Sequence, residues 1–120
     1  MKKEWAMKWV AALKGGNFKQ TTGMLRRHLD DTCCCLGVLE DLTGCEWKRE
    51  RPRKNWFISD EGGVNATSLT MRAQKITGIR SNNGDFGFEY KGYSSLMALN
   101  DVGISFDEIG DFIKENYKKL

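Results

Sequence analysis

The chain has 120 residues, 40% of them hydrophobic and 29% charged, which fits one small folded domain over 1–120 and excludes a wholly disordered chain. Nineteen Lys and Arg against 16 Asp and Glu leave a net charge of only +3, too little for a protein that coats nucleic acid through bulk charge. No apolar run approaches the ~20 residues of a bilayer-crossing helix, and the basic start Met1-Lys2-Lys3 leads into no signal-peptide core, so the expected location is cytoplasmic.

In chain order, Trp5, Trp9, Ala12 and Leu13 recur at helical spacing over 3–14, and Gly15-Gly16 stops that helix. Residues 17–27 read as a short extended segment or hairpin. A second helix is predicted over 33–43, with Asp30, Asp31 and Thr32 as candidate N-caps and Gly44 as its stop. Cys35, Leu36, Val38, Leu39 and Leu42 make it apolar on more than one side, which marks the central buried helix. Residues 46–58 begin polar and end in a strand at Trp56-Phe57-Ile58, and Gly62-Gly63 is a turn. A third helix over 67–77 carries Leu69, Ala73 and Ile76 and ends at Gly78. Asn82-Asn83-Gly84-Asp85 is a turn signal between extended stretches at 78–81 and 86–90. A short fourth helix runs over 94–100. The fifth opens on Ser105 and Glu108, the spacing of a reciprocal capping box, and lines its inner face with Ile109, Phe112, Ile113 and Tyr117. The expected fold class is α+β, mostly helical, with about five helices and a small antiparallel β element.

Three blocks resemble a family of short, largely uncharacterised bacteriophage and prophage proteins. The first is Trp9, Ala12, Leu13, Gly16, Phe18 and Gln20. The second is the run from Cys34 to Leu39. The third is Leu96, Leu99, Asn100, Asp101, Gly103, Ser105, Phe106, Glu108 and Ile109. The resemblance implies a phage origin and action in the host cytoplasm, and it brings no catalytic residues with it. The basic run at 48–54 is no part of the family pattern.

Four cysteines, three of them consecutive at Cys33, Cys34 and Cys35, suit free thiols in a reducing compartment. Neighbouring cysteines pair poorly. A zinc site with His28 and Cys45 is disfavoured, because successive helical residues diverge by about 100° and cannot converge on one ion. Core packing is the expected role of the run. Cys33 near a helix N-terminus has one feature of an activated nucleophile, but no oxyanion motif accompanies it. The carboxylate pairs Asp30-Asp31, Asp60-Glu61 and Asp107-Glu108 suit caps and turns. Asn100-Asp101-x-Gly103 reads chiefly as a turn. No phosphate-loop or hydrolase motif is present. The expectation is a protein that is not an enzyme and uses no cofactor and no metal.

The most informative segment is basic and flanked by aromatics: Lys48, Arg49, Arg51, Arg53 and Lys54 between Trp47 and Trp56-Phe57. Arg and Lys hold phosphates, Arg through a two-pronged fork, and rings give bases a stacking face. The alternative is a solvated basic loop whose tryptophans plug into the core. Candidate ligand-binding residues are Trp47, Arg49, Arg51, Arg53, Lys54 and Trp56. Joined to the phage resemblance, they predict a counter-defence protein that sequesters a nucleotide-derived immune signal, as a homo-oligomer that encloses its ligand. A protein-binding inhibitor of a host defence complex, like an anti-CRISPR, is the second reading. A nucleic-acid-binding phage regulator is the third, ranked last for want of a recognition helix.

Overall fold

The computed structural model of the chain describes residues 1–49, 56–59 and 67–120, and at 48, 49 and 56–59 it describes the backbone alone. Helix α1, Lys3–Lys14, forms where the apolar stripe predicts it and buries Ala6, Trp9, Val10 and Leu13. It packs chiefly on α5, Phe106–Asn116. Gly110 makes that crossing close. A Cβ there would stand 3.2 Å from Lys14 Cε, so the Lys14 stem lies over the bare backbone and its ammonium reaches Asp111.

Helix α2 is Cys35–Leu42, two residues shorter at its start than the sequence suggests. Its N-cap is Cys34, whose sulfur accepts the Gly37 N–H at 3.3 Å, and none of Asp30, Asp31 and Thr32 takes that place. The reason is tertiary. Thr32–Cys33 forms β2, which pairs antiparallel with β1, Arg26–Arg27. Six consecutive residues of α2, Cys35 to Glu40, are buried, as its all-round apolar pattern requires. Gly37 is obligatory: a Cβ there would lie 1.8 Å from the Leu25 carbonyl oxygen.

The strands β3, Trp47–Arg49, and β4, Trp56–Ser59, complete a four-stranded antiparallel sheet in the order β2-β1-β4-β3. The strand at 56–58 is therefore present, and its partner β3 lies inside the segment read as polar. The outer edge of β2 is occupied by residues 19–21, with Thr21 N–H on the Cys33 carbonyl at 2.8 Å and Cys33 N–H on the Lys19 carbonyl at 2.9 Å. The Gly62-Gly63 turn lies outside the described residues.

Helix α3 is Met71–Thr77. It begins four residues later than predicted, because Thr70 is the cap. The Thr70 hydroxyl accepts from Ala73 N–H at 3.1 Å and donates to the fully buried Glu40 carboxylate at 2.7 Å. Gly78 closes the helix in the left-handed conformation, φ +75°.

The second sheet is the hairpin of β5, Asp85–Tyr90, and β6, Tyr93–Ser95. Of the two extended stretches expected at 78–81 and 86–90, the second is a strand and the first is not. Asn82 and Asn83 do turn, but the hairpin turn is Lys91-Gly92, both at positive φ (51° and 87°), the combination that a tight antiparallel connection demands. Phe86, Phe88 and Tyr90 alternate onto one face and meet Phe112 of α5 with ring centroids 4.7–5.9 Å apart.

Helix α4, Leu96–Asp101, is capped by Ser95, and α5 by Ser105, whose hydroxyl accepts Glu108 N–H at 3.2 Å. Only that half of the expected capping box forms. The Glu108 carboxylate turns instead to Lys91 Nζ at 2.7 Å and Tyr90 OH at 3.3 Å. The core gathers Trp9, Leu36, Leu39, Leu96, Leu99, Ile109 and Ile113, all fully buried. The architecture is thus α+β, with five α-helices among the described residues and two small antiparallel sheets. Among those residues no helix is long and apolar enough to cross a membrane.

Candidate ligand-binding sheet

The four-stranded sheet separates the predicted site residues. Trp47 and Arg49 lie on β3, Trp56 begins β4, and Arg51, Arg53 and Lys54 fall outside the described residues. In the register Trp47 stands opposite Ser59 and Arg49 opposite Phe57, while Phe57 is opposite Arg26 and Trp56 is opposite Arg27. Directly paired residues share a face and neighbours alternate. Positions 26, 47, 49 and 57 therefore belong to one side of the sheet, and positions 27 and 56 to the other.

The first side is turned to α2 and is occupied by the protein itself. The half-buried Trp47 donates its indole N–H to Asp41 Oδ1 at 2.8 Å. The Arg26 guanidinium carbon stands 5.4 Å from the Trp47 ring centroid. The same guanidinium meets Asp31 at 2.6 Å and Asp41 at 3.5 Å. For Trp47 this is the anchoring role, a ring fastened to a core helix by its polar edge.

The second side presents Arg27. It pairs with Thr32 as well as with Trp56. Its guanidinium meets one carboxylate oxygen of Asp30 at 3.4 Å, while the Thr32 hydroxyl donates to the other at 2.7 Å. The Thr32 bond and then the Arg27 charge hold the Asp30 carboxyl below its ordinary range, so Asp30 stays an anion at neutral pH. Arg26 and Arg27 are absent from the predicted site. Their signal in the sequence is a bare Arg-Arg pair, and a two-residue strand has no periodicity to expose it.

The three consecutive thiols are buried. Cys33 ends β2 directly before the Cys34 N-cap of α2, and burial pushes its thiol up to about 12. Burial likewise raises Cys34 to about 11 and Cys35 well above the usual value. His28, the one histidine, is exposed in the β1–β2 turn. Among the described residues no group of three or more His, Cys, Asp and Glu is placed to hold a metal ion.

Asn100, read as part of a turn, is instead a buried junction near the end of α4. Its Oδ1 accepts from Cys35 N–H at 3.0 Å and Gln20 Nε2 at 2.9 Å, and its Nδ2 donates to the Thr21 carbonyl at 2.8 Å. Trp9 reaches the same place through Nε1 on the Cys35 carbonyl at 2.8 Å. Every polar atom of the Asn100 amide is thus engaged inside the protein. An open hollow of about 470 Å³ lies at the β5–β6 hairpin, lined by Gly87, Phe88, Glu89, Gly92, Tyr93 and Ser94. Its charged lining residue is a carboxylate, so it does not suit an anion.

The fold and the sheet define a small α+β protein with arginines set against aromatic positions across an antiparallel ladder. The model of a domain family of unknown function, DUF8296, matches residues 1–117, and the chain belongs to that family. Neither a curated protein nor a solved structure matches it.

Proposed function

We propose that this is a phage-encoded accessory protein that counters host defence by stoichiometric binding, holding a nucleotide-derived immune signal on its four-stranded sheet without turning it over. The observation that carries this reading is the cross-strand placement of Arg27 opposite Trp56, on the other side of the sheet from Arg26, Trp47 and Asp41. A cation for phosphate beside an aromatic position for a base is the minimal recognition unit for a nucleotide. Arg49, Arg51, Arg53 and Lys54 extend the cationic segment in the sequence between the two tryptophans. A domain of this size encloses such a ligand by assembling with further copies of itself.

Native mass spectrometry of the protein purified from cells with active defence signalling tests this. The expected species is a homo-oligomer carrying an added mass in the nucleotide range. A bare protein that also binds neither cyclic di-AMP nor ADP-ribose in calorimetry refutes it.

One observation favours the second reading, a protein-binding inhibitor of a host defence complex. Leu29 is 70% exposed at the tip of the β1–β2 hairpin, the placement of an apolar anchor. Under that reading Leu29→Asp abolishes counter-defence in a phage plaque assay, whereas under signal sequestration it leaves counter-defence intact.

A further inference from the structure

The described part of the sheet points to one residue in particular. We propose that Arg27 holds a phosphate group of the ligand and that Asp30 is a built-in competing anion, which the ligand must displace. This rests on the nucleotide-binding reading and adds to it the contact residue and a means of selecting for charge.

Four observations lead there. Position 27 shares its side of the sheet with position 56, away from the Arg26–Trp47–Asp41 cluster. Strand β1 is internal, with β2 on one side and β4 on the other, so the Arg27 backbone is held on both edges. The guanidinium has five N–H donors, and its ion pair is one 3.4 Å approach to Asp30. That is longer than the ~2.7–2.9 Å of a closed charge-assisted bond. Both side chains are open to solvent, 39% for Arg27 and 44% for Asp30.

Thr32 explains the long approach. Its hydroxyl takes Asp30 Oδ1 at 2.7 Å, which leaves Oδ2 to face Arg27 from a distance. Asp30 therefore faces Arg27 without closing on it. A phosphate offers several acceptor oxygens to the planar fork and can approach to full hydrogen-bond distance. A weakly charged ligand gains little by the exchange, and a phosphate or pyrophosphate gains more. The site so built selects a ligand that brings a phosphate to Arg27.

The test is calorimetry of the full chain with cyclic di-AMP and with ADP-ribose, using wild type, Arg27→Gln and Asp30→Asn. Circular dichroism checks the fold of each variant. Arg27→Gln should lose about tenfold or more in affinity, the worth of one charged hydrogen-bonding partner. Asp30→Asn should bind several-fold more tightly, a gain that misfolding cannot imitate. Wild type that binds while Arg27→Gln binds equally well overturns the assignment of Arg27 and leaves the nucleotide reading standing. Asp30→Asn with unchanged or weaker affinity overturns the competing-anion role. Wild type that binds neither probe overturns the nucleotide reading and this assignment together.

Discussion

Asn100→Ala is the sharpest test of how this fold is joined. Asn100 is fully buried, and its amide serves two separate stretches of chain, Gln20-Thr21 and the start of α2. Cys35 is the first residue of α2, so its N–H has no partner within the helix. Asn100 Oδ1 supplies one at 3.0 Å. The Thr21 carbonyl receives Nδ2 at 2.8 Å beside the paired edge of β2. Removal of the amide strands both groups in the interior, at about 1–3 kcal/mol each. Gln20 loses less, since its Nε2 also reaches the Ile104 carbonyl at 2.8 Å. A loss of about 4 kcal/mol is expected. Unfolding a chain of this length carries an entropy of about 0.25 kcal/mol per kelvin, so the melting temperature should fall by about 16 °C. Thermal and urea unfolding followed by circular dichroism measure it. A loss under about 1 kcal/mol, with the denaturant slope unchanged, refutes the reasoning, for it means that the stranded groups find other partners.

Three further outcomes follow from the same geometry. Gly37→Ala puts a Cβ 1.8 Å from the Leu25 carbonyl oxygen, so α2 must move off β1; the variant should lose about 3 kcal/mol or more in urea unfolding, and a near-neutral result refutes the close approach. Thr70→Ala removes the α3 cap and a hydroxyl from the buried Glu40 carboxylate; it should cost about 2–4 kcal/mol, with Thr70→Ser restoring most of it, by thermal unfolding. The buried thiols set a pH dependence: Cys33 rises from 9.0 to about 12 and Cys34 from 9.0 to about 11. Because these folded-state values lie above the unfolded one, the unfolded chain binds fewer protons above pH ~9, and stability is full below that pH and falls as pH climbs toward 12. Melting curves at pH 8 to 11 check this, and a flat profile contradicts it.

The parts of the fold legible in the sequence are those fixed by local periodicity and punctuation. Helix α1 and helix α5 carry an apolar stripe and a stop or cap within their own residues, so their bounds follow without knowledge of neighbours. The start of α2 does not. Asp30, Asp31 and Thr32 have the right chemistry to cap a helix, but β1 claims Thr32 and Cys33 through pairing, and a sulfur is left to cap. The second hairpin fails in the same manner. Asn-Asn-Gly-Asp is the stronger local turn signal, yet the strand that pairs with β5 lies after Lys91-Gly92, where a lysine accepts positive φ.

The candidate site shows where charge patterning stops being informative. The basic run and its flanking tryptophans are visible in the sequence, but the side of a sheet to which each belongs is decided by register, and register is set by strands distant in the chain. Trp47 and Trp56 look equivalent in sequence. Pairing assigns them to opposite sides, the first with Arg26 and Asp41, the second across from Arg27. Two adjacent arginines in a strand must diverge in the same way, so Arg26 is drawn into the structure and Arg27 faces the other side. Alternation in β1 thus converts one Arg-Arg pair into a fastening to Asp31 and Asp41 on one side and an arginine facing Asp30 on the other.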